Sequence, residues 1–150
     1  MVSVDFSQPL IDFLLAKYVD KPSLRFIVAD CRSLELLPNA YDAVVDKGTL
    51  DALLCAADSA TGAASMLNAV AKTLSPGGHY VVISYAPPTE RALFARFFPD
   101  EHWETTVWML PKPGHGQHES PRRWCPSVSA DGRFHFVYLI KKMDGAKEAA

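Results

Sequence analysis

The sequence predicts an α/β protein built on a mostly parallel sheet with an antiparallel edge. Two observations support this prediction. Strand-like and helix-like segments alternate along most of the chain, and two further strands then follow with no helical pattern between them. Alternation of this kind indicates parallel strands connected by helices, whereas strands joined without a crossover helix pair antiparallel. At 150 residues the chain has the length of one domain. We predict this domain over residues 1–143, followed by a flexible tail over 144–150.

The first two predicted strands each end on an aspartate. Val2 to Val4 is followed by Asp5, and the strand from Leu24 to Ala29 is followed by Asp30. Between these strands, apolar residues recur at helical spacing. Ser7 is expected to cap that helix, since its side chain can accept a hydrogen bond from an N–H of the first turn.

The segment from Tyr41 to Leu54 is predicted to run from a buried strand through a polar turn into a helix. Its apolar run ends at Asp46, which is followed by Lys47 and a glycine. Thr49 is the predicted N-cap of the helix. Ligands of open α/β sheets bind just past the carboxyl ends of the strands, so this turn is a candidate site.

The remaining segments complete the predicted order. The first is a helix whose inner face carries Met66, Leu67, Val70, Ala71 and Leu74, and residues 75–78 are expected to end it. A strand over 79–85 and a helix over 89–98 follow, and the last two elements are strands over 105–110 and 134–140. A long loop over 111–131 would join the last two strands. Three of its residues, Arg122, Arg123 and Trp124, are of types that contact protein partners, and an exposed, proline-flanked loop explains them equally well.

Composition excludes several classes of function. The net charge is −2 without a basic stripe, which argues against nucleic-acid binding, and the apolar runs are too short to span a membrane. Three cysteines without a CxxC pair favour a reducing compartment, so we expect a cytoplasmic protein. His115, His118 and Cys125 lack the spacing of a zinc site, and we predict no metal.

Asp5, Asp30 and Asp46 each follow a strand, and parallel strands would place them along one rim of the sheet. Each alone is explained as a cap or turn residue. Together they favour a nucleoside-type ligand, because carboxylates accept hydrogen bonds from ribose hydroxyls and from an exocyclic amine. The sequence contains neither GxxxxGK[ST] nor GxGxxG, the motifs of P-loop and dinucleotide sites.

The sequence resembles the class I, seven-β-strand, S-adenosylmethionine-dependent methyltransferases with a Rossmann-like sheet. The branch it resembles is marked by DKGTLDAL and includes lysine methyltransferases of translation elongation factor 1-alpha and the endothelin-converting-enzyme-linked methyltransferase-like proteins. The segments that resemble this branch are VSVDFS at 2–7, LRFIVADC at 24–31, YDAVVDKGTLDALL at 41–54, LSPGGHYVVIS at 74–84 and FHFVYLIKK at 134–142.

The resemblance implies S-adenosyl-L-methionine as the cofactor and assigns five residues to it. Asp5 would hold the ribose hydroxyls, with Phe6 beside it. Asp30 would accept from the adenine amine, and the backbone of Cys31 would contact the ring edge. Lys47 would lie on the cofactor side of the site.

The resemblance also implies a transferase activity, protein-lysine methylation, with Asp46 as the catalytic carboxylate at the methyl-transfer end. The partner would be a protein, with elongation factor 1-alpha as one candidate. Members of the family begin with a further central strand and a glycine-rich loop, whereas Met1 falls where their second strand starts. The expected fold is therefore truncated at the N-terminus, and an inactive methyltransferase-like binding module is the alternative function.

Overall fold

The computed structural model describes residues 1–56, 59–91, 93–98, 102–114, 120–126 and 132–143. The chain forms two compact units, Met1–Glu35 and Leu36–Ala150. The single domain over 1–143 stays a prediction, and the predicted tail over 144–150 lies outside the described residues.

The first unit contains two parallel strands and one helix. They are β1 (Val2–Asp5), α1 (Gln8–Lys17) and β2 (Arg25–Val28). In the β1–β2 register, Val2 lies opposite Arg25 and Asp5 opposite Val28. Ser7 caps α1 as predicted, since its Oγ accepts a hydrogen bond from the backbone N–H of Leu10 at 3.4 Å.

The described part of the second unit contains a five-stranded mixed sheet and three α-helices. Its elements are β3 (Tyr41–Lys47), α2 (Thr49–Leu54), α3 (Ser59–Thr73), β4 (Leu74–Ser84), α4 (Leu93–Phe97), β5 (Trp103–Pro111), β6 (Arg122–Arg123) and β7 (Phe134–Lys142). The strand order is β3-β4-β7-β5-β6. β3 and β4 are parallel, and the other pairs are antiparallel. The predicted α/β class with an antiparallel edge is confirmed.

The core of the second unit lies between α3 and one face of the sheet. Met66, Leu67, Val70 and Leu74 are buried as their helical spacing predicts, although Leu74 already belongs to β4. Alternate residues of β7 are buried, and the last of them is Lys142. Its Nζ donates to Asn39 Oδ1 at 3.0 Å and to the carbonyl oxygens of Ala71 and Leu74 at 3.0 and 2.8 Å. These bonds offset the desolvation of a buried ammonium.

Several predicted elements differ from the structure. β4 begins at Leu74 instead of residue 79, with an irregular stretch before His79, because Tyr41 pairs with Leu74 and Ala43 with His79. The helix predicted over 89–98 consists of a 3₁₀ turn, Pro88–Glu90, followed by α4. The loop predicted over 111–131 contains β6.

The predicted N-cap at Thr49 is wrong. Gly48 occupies the N-cap position of α2 with φ +79°, and no side chain there accepts a capping bond. The carboxylate of Asp46 instead accepts from the backbone N–H groups of Thr49 and Leu50, at 2.8 and 3.1 Å. The acid at the strand end therefore satisfies the first turn of the helix.

Both β1 and β3 lie at an end of their sheets. Over the described ranges, β1 is hydrogen-bonded only to β2, and β3 only to β4. The side chain of Val45 on β3 is 68% exposed. Unpaired strand edges beside apolar side chains can pair with another chain. None of the described helices is long and apolar enough to cross a membrane.

Candidate functional site

The first unit brings Asp5 and Asp30 to the same end of its sheet. Asp5 is the last residue of β1, and its carbonyl oxygen accepts from the N–H of Ala29 at 3.0 Å. Asp30 comes directly after Ala29 and is the N-cap of the 3₁₀ turn Cys31–Ser33. Two carboxylates thus lie past the carboxyl ends of adjacent parallel strands, as the sequence predicts. Their roles toward a cofactor stay predictions.

Asp5 is half-buried and keeps an acceptor for a ligand. Its Oδ1 accepts from the backbone N–H of Ser7 at 2.8 Å, and no donor among the described residues is hydrogen-bonded to its Oδ2. Phe6, which follows it, is 82% exposed. An acceptor-only group beside an exposed aromatic ring suits a ligand with both hydroxyl groups and a flat face.

Asp30 is held by Arg32. The guanidinium donates to Asp30 Oδ2 from Nε at 2.9 Å and from Nη2 at 2.5 Å, and the Arg32 backbone N–H donates to Oδ1 at 2.9 Å. These hydrogen bonds from the Arg32 side chain and backbone lower the pKa of Asp30 to about 2. Asp30 is therefore ionised at neutral pH, and Arg32 competes with any ligand donor. Cys31, between them, is half-buried.

In the second unit, Asp46 and Lys47 end β3. Asp46 is only 5% exposed, and Tyr80 Oη donates to its Oδ2 at 3.1 Å, in addition to the two bonds from α2. A carboxylate offers about four acceptor positions, so the chain itself uses most of those on Asp46. Lys47 is exposed. The catalytic assignment of Asp46 and the cofactor assignment of Lys47 stay predictions.

A buried polar network that the sequence did not reveal links α2 to the chain after β4. Asp51 accepts from Ser84 Oγ at 2.6 Å, from the backbone N–H of Tyr85 at 3.0 Å, and from Arg91 Nη2. Burial opposes ionisation of Asp51, but the bonds from Ser84, Tyr85 and Arg91 together hold its pKa below the usual value. Only the carboxylate of Asp51 was visible in the motif, because its partners are distant in sequence.

Tyr85, whose backbone belongs to this network, is also in contact with His135 and Lys112. The ring of Tyr85 is 63% exposed and lies 5.0 Å from the ring of His135, and Lys112 Nζ lies 5.2 Å from the centroid of Tyr85. Desolvation, then the charges of Lys112 and Lys47, lower the pKa of His135, against a smaller opposing effect of Asp51. These effects favour the neutral form of the His135 imidazole.

Within the described part of the chain, no three His, Cys, Asp or Glu side chains are grouped as metal ligands would be. His115 and His118 lie outside that part. The absence of a metal site stays a prediction.

Comparison with known proteins identifies the family. The family model described as "Methyltransferase domain" matches residues 1–82, more than half of the chain. The chain belongs to this methyltransferase family. The matched range includes Asp5, Asp30 and Asp46, the three acids selected from the sequence.

The chain is similar to two curated relatives that are named as lysine methyltransferases. The chain is 31% identical over 111 residues to "EEF1A lysine methyltransferase 4" of Bos taurus, which covers 69% of this chain and 42% of the relative. It is 31% identical over 96 residues to the Mus musculus protein of the same name, covering 59% of this chain and 38% of the relative. The chain thus spans about two fifths of the length of these relatives.

Solved structures show the same fold. N-methyltransferase NodS of Bradyrhizobium japonicum WM9, in complex with S-adenosyl-L-homocysteine, matches with a TM-score of 0.60 at 17% identity over 95% of this chain and 66% of NodS. A 1,6-didemethyltoxoflavin-N1-methyltransferase of Burkholderia thailandensis with bound S-adenosylhomocysteine matches with a TM-score of 0.62 at 16% identity, over 95% and 61%. At such identities the likeness shows the Rossmann-like fold.

Proposed function

We propose that the protein is a cytoplasmic methyltransferase that uses S-adenosyl-L-methionine and methylates a protein lysine. Membership of the methyltransferase family supports the reaction class. The relatives named for EEF1A lysine methylation support a protein-lysine acceptor, with elongation factor 1-alpha as the first candidate. The three cysteines, none in a CxxC pair, support the cytoplasm.

The observation that carries the proposal is the pair of carboxylates past β1 and β2. The unused Oδ2 of Asp5 is suited to the ribose hydroxyls of the cofactor, with Phe6 beside it. Asp30 accepts from the adenine amine, and the backbone of Cys31 contacts the ring edge. Ionised carboxylates are acceptor-only, so both groups select a ligand that presents donors.

Cofactor binding changes the partner of Asp30. Because Arg32 already donates to both Asp30 oxygens, the adenine amine must share the carboxylate or replace a guanidinium bond. Because of this exchange, the hydrogen bond from the adenine amine contributes less binding free energy than a bond to an unpaired carboxylate would.

When bound, the cofactor supplies an electrophilic sulfonium methyl group. The contribution of the chain is to orient the acceptor amine, keep it neutral and exclude water. Asp46 fixes the first turn of α2 through Thr49 and Leu50, beside the end of β3. Lys47 disfavours a protonated amine next to it, because like charges repel.

The first prediction tests cofactor binding directly with radiolabelled S-adenosyl-L-methionine and the 150-residue chain. Asp5→Ala and Asp30→Ala should each weaken binding by about tenfold, because each removes a charge-assisted hydrogen bond. Asp20→Ala, an exposed aspartate paired with Lys21, is the matched control and should leave the affinity unchanged. Unchanged affinity in both variants would refute the assignment of the two carboxylates.

The edges of β1 and β3 favour a second candidate, an inactive methyltransferase-like binding module. Both edges have unpaired backbone groups over the described ranges, and such edges pair with another chain. If the chain does not bind the cofactor while a version extended upstream does, the module is favoured for this chain. Methyl transfer to elongation factor 1-alpha by the 150-residue chain would exclude it.

A further inference from the structure

We propose that the cationic side chains around Phe134 bind an acidic segment of the protein substrate. This surface, called the Phe134 surface, consists of the side chains of Lys112, Arg122 and Arg133 around the buried ring of Phe134, together with the exposed ring of Tyr85. The inference rests on the proposed function only where it names the partner as the methyl-acceptor protein.

The three cations are held in place by contacts with aromatic rings and backbone. Cζ of Arg122 and Cζ of Arg133 lie 5.2 and 5.9 Å from the centroid of Phe134, which is 2% exposed. The backbone N–H of Lys112 donates to the carbonyl oxygen of Arg133 at 2.9 Å, and its Nζ donates to that of Gly132 at 2.7 Å. Side chains placed in this way lose less conformational entropy when they bind a ligand.

This part of the chain is positive in a protein that is negative as a whole. Residues 112–135 contain four Lys or Arg and two Asp or Glu, whereas the full chain has a net charge of −2. Over the described ranges, the ion pairs are Lys21–Asp20, Arg32–Asp30 and Arg91–Asp51, and Lys112 and Arg122 belong to none of them. Burial and then the charge of Lys112 lower the pKa of His135, which lies beside this surface.

The Phe134 surface lies at the end of the sheet where a substrate is expected. Phe136 of β7 pairs with Ser84 of β4, and Ile83 pairs with Lys47 of β3. The start of β7 is therefore level with the carboxyl ends of the two parallel strands, where ligands of α/β sheets bind. A protein docked on this surface reaches the region of Lys47 and Tyr85.

The chemistry favours an acidic protein segment. Arginine donates two parallel hydrogen bonds to a carboxylate, and its guanidinium retains its charge at any relevant pH. β6, which carries Arg122, is the last strand in the sheet order of the described residues and is only two residues long. An extended segment can lie along it. A nucleic acid fits less well, because the chain as a whole is negative and would repel a long polyanion.

The test is fluorescence anisotropy with the whole chain and a labelled Glu-rich peptide containing one lysine. The wild type should bind it, and binding should weaken as salt rises. The double variant Arg122→Glu with Arg133→Glu should lose about tenfold or more in affinity, because attraction becomes repulsion. Lys72→Glu changes the charge of an exposed residue at the end of α3 and is the matched control.

Three outcomes would overturn the inference. They are no peptide binding by the wild type, equal losses in the double variant and in Lys72→Glu, and tighter binding of a single-stranded RNA than of the peptide. Arg122→Gln, a milder change at an exposed position, replaces the double variant if that variant fails to fold. S-adenosyl-L-methionine affinity is measured in parallel and should not change. Peptide binding without cofactor binding would therefore refute the proposed function and not the docking surface.

Discussion

Arg91 and Asp51 form an ion pair whose side chains are only 9% and 16% exposed. Two charges removed from water in this way remain stable only while both partners are present. Arg91 Nη2 also donates to Ser84 Oγ at 3.0 Å, whereas no described group accepts from the buried Nε. The pair therefore fixes the chain after β4 against α2, at the cost of one unsatisfied donor.

The second prediction concerns this pair. Arg91→Ala should lower the free energy of unfolding by on the order of 3 kcal/mol, because it leaves the carboxylate of Asp51 mostly buried without its cation. Urea unfolding followed by circular dichroism measures the loss. Arg96→Ala, at an exposed position of α4, is the control and should cost less than about 0.5 kcal/mol. A loss of similar size in both variants would show that the ion pair does not stabilise this region.

At the scale of single elements, two glycines have different roles in the parallel pair β3–β4. Gly48 has φ +79°, and a Cβ added there would meet nothing within 4 Å. At Gly78, an added Cβ would lie 2.8 Å from the carbonyl oxygen of Ser75 and 3.2 Å from those of Tyr41 and Asp42. The first glycine is required by backbone conformation, and the second by the close approach of two chain segments.

The third prediction compares substitutions at these positions. Gly48→Ala should cost about 1 kcal/mol, the usual cost of a left-handed conformation for a residue with a Cβ. Gly78→Ala should cost more, because backbone oxygens of two segments must move and the regular part of the β3–β4 pairing starts at the next residue, His79. Thermal unfolding of the two variants measures the order. If Gly48→Ala is the more destabilising change, the contacts assigned to Gly78 are wrong.

Elements with a strong local pattern could be predicted from the sequence. The strands from Val2, Leu24 and Phe134, and the inner face of α3, follow from apolar periodicity and from stop signals within a few residues. The prediction of Thr49 as the cap of α2 rests on the general preference for threonine at that position. The structure uses Asp46 instead, since its side chain reaches the first turn once Gly48 has a positive φ.

What the sequence could not predict depends on residues that are distant along the chain. Asp51 is 33 residues from Ser84 and 40 from Arg91, so no local spacing indicates the network. β6 is two residues long and forms only because β5 is beside it. The sequence predicts the aspartates of the site. It does not predict the pairing of Asp30 with Arg32, because that pairing depends on the conformation of the Arg32 side chain, which the strand pattern does not specify.

At the scale of the whole molecule, the shifted pKa values of Asp30, Asp51 and Tyr138 make stability depend on pH at the acid and alkaline ends of the range. The pKa of Asp30, held down by the Arg32 hydrogen bonds, and that of Asp51 both lie below the ordinary value of 3.8. Burial raises the pKa of Tyr138 above its ordinary value of 10.0, and its Oη donates to the carbonyl oxygen of Ala86 at 2.7 Å. The folded form thus favours ionised aspartates and a neutral tyrosine.

The fourth prediction follows from these shifts. The stabilisation by the aspartates is complete above pH 3.8 and is lost as the pH falls toward about 2, because the unfolded chain then binds more protons. At the other end, stability falls as the pH rises past 10.0, because the unfolded chain releases the proton of Tyr138 first. Urea unfolding at a series of pH values measures both limbs. Tyr138→Phe should reduce the alkaline loss, and an unchanged alkaline limb would contradict the role of Tyr138.

The edge of β3 determines how the purified protein must be handled. Over the described ranges this strand pairs only with β4, and the exposed Val45 lies beside its unpaired backbone groups. An extended apolar edge of this kind is a template on which other copies can add as further strands. Association through this edge therefore increases with protein concentration, and assays of affinity or turnover report the single chain only in dilute solution. Crystallisation and other concentrated preparations need a capping segment, or a charge at this edge.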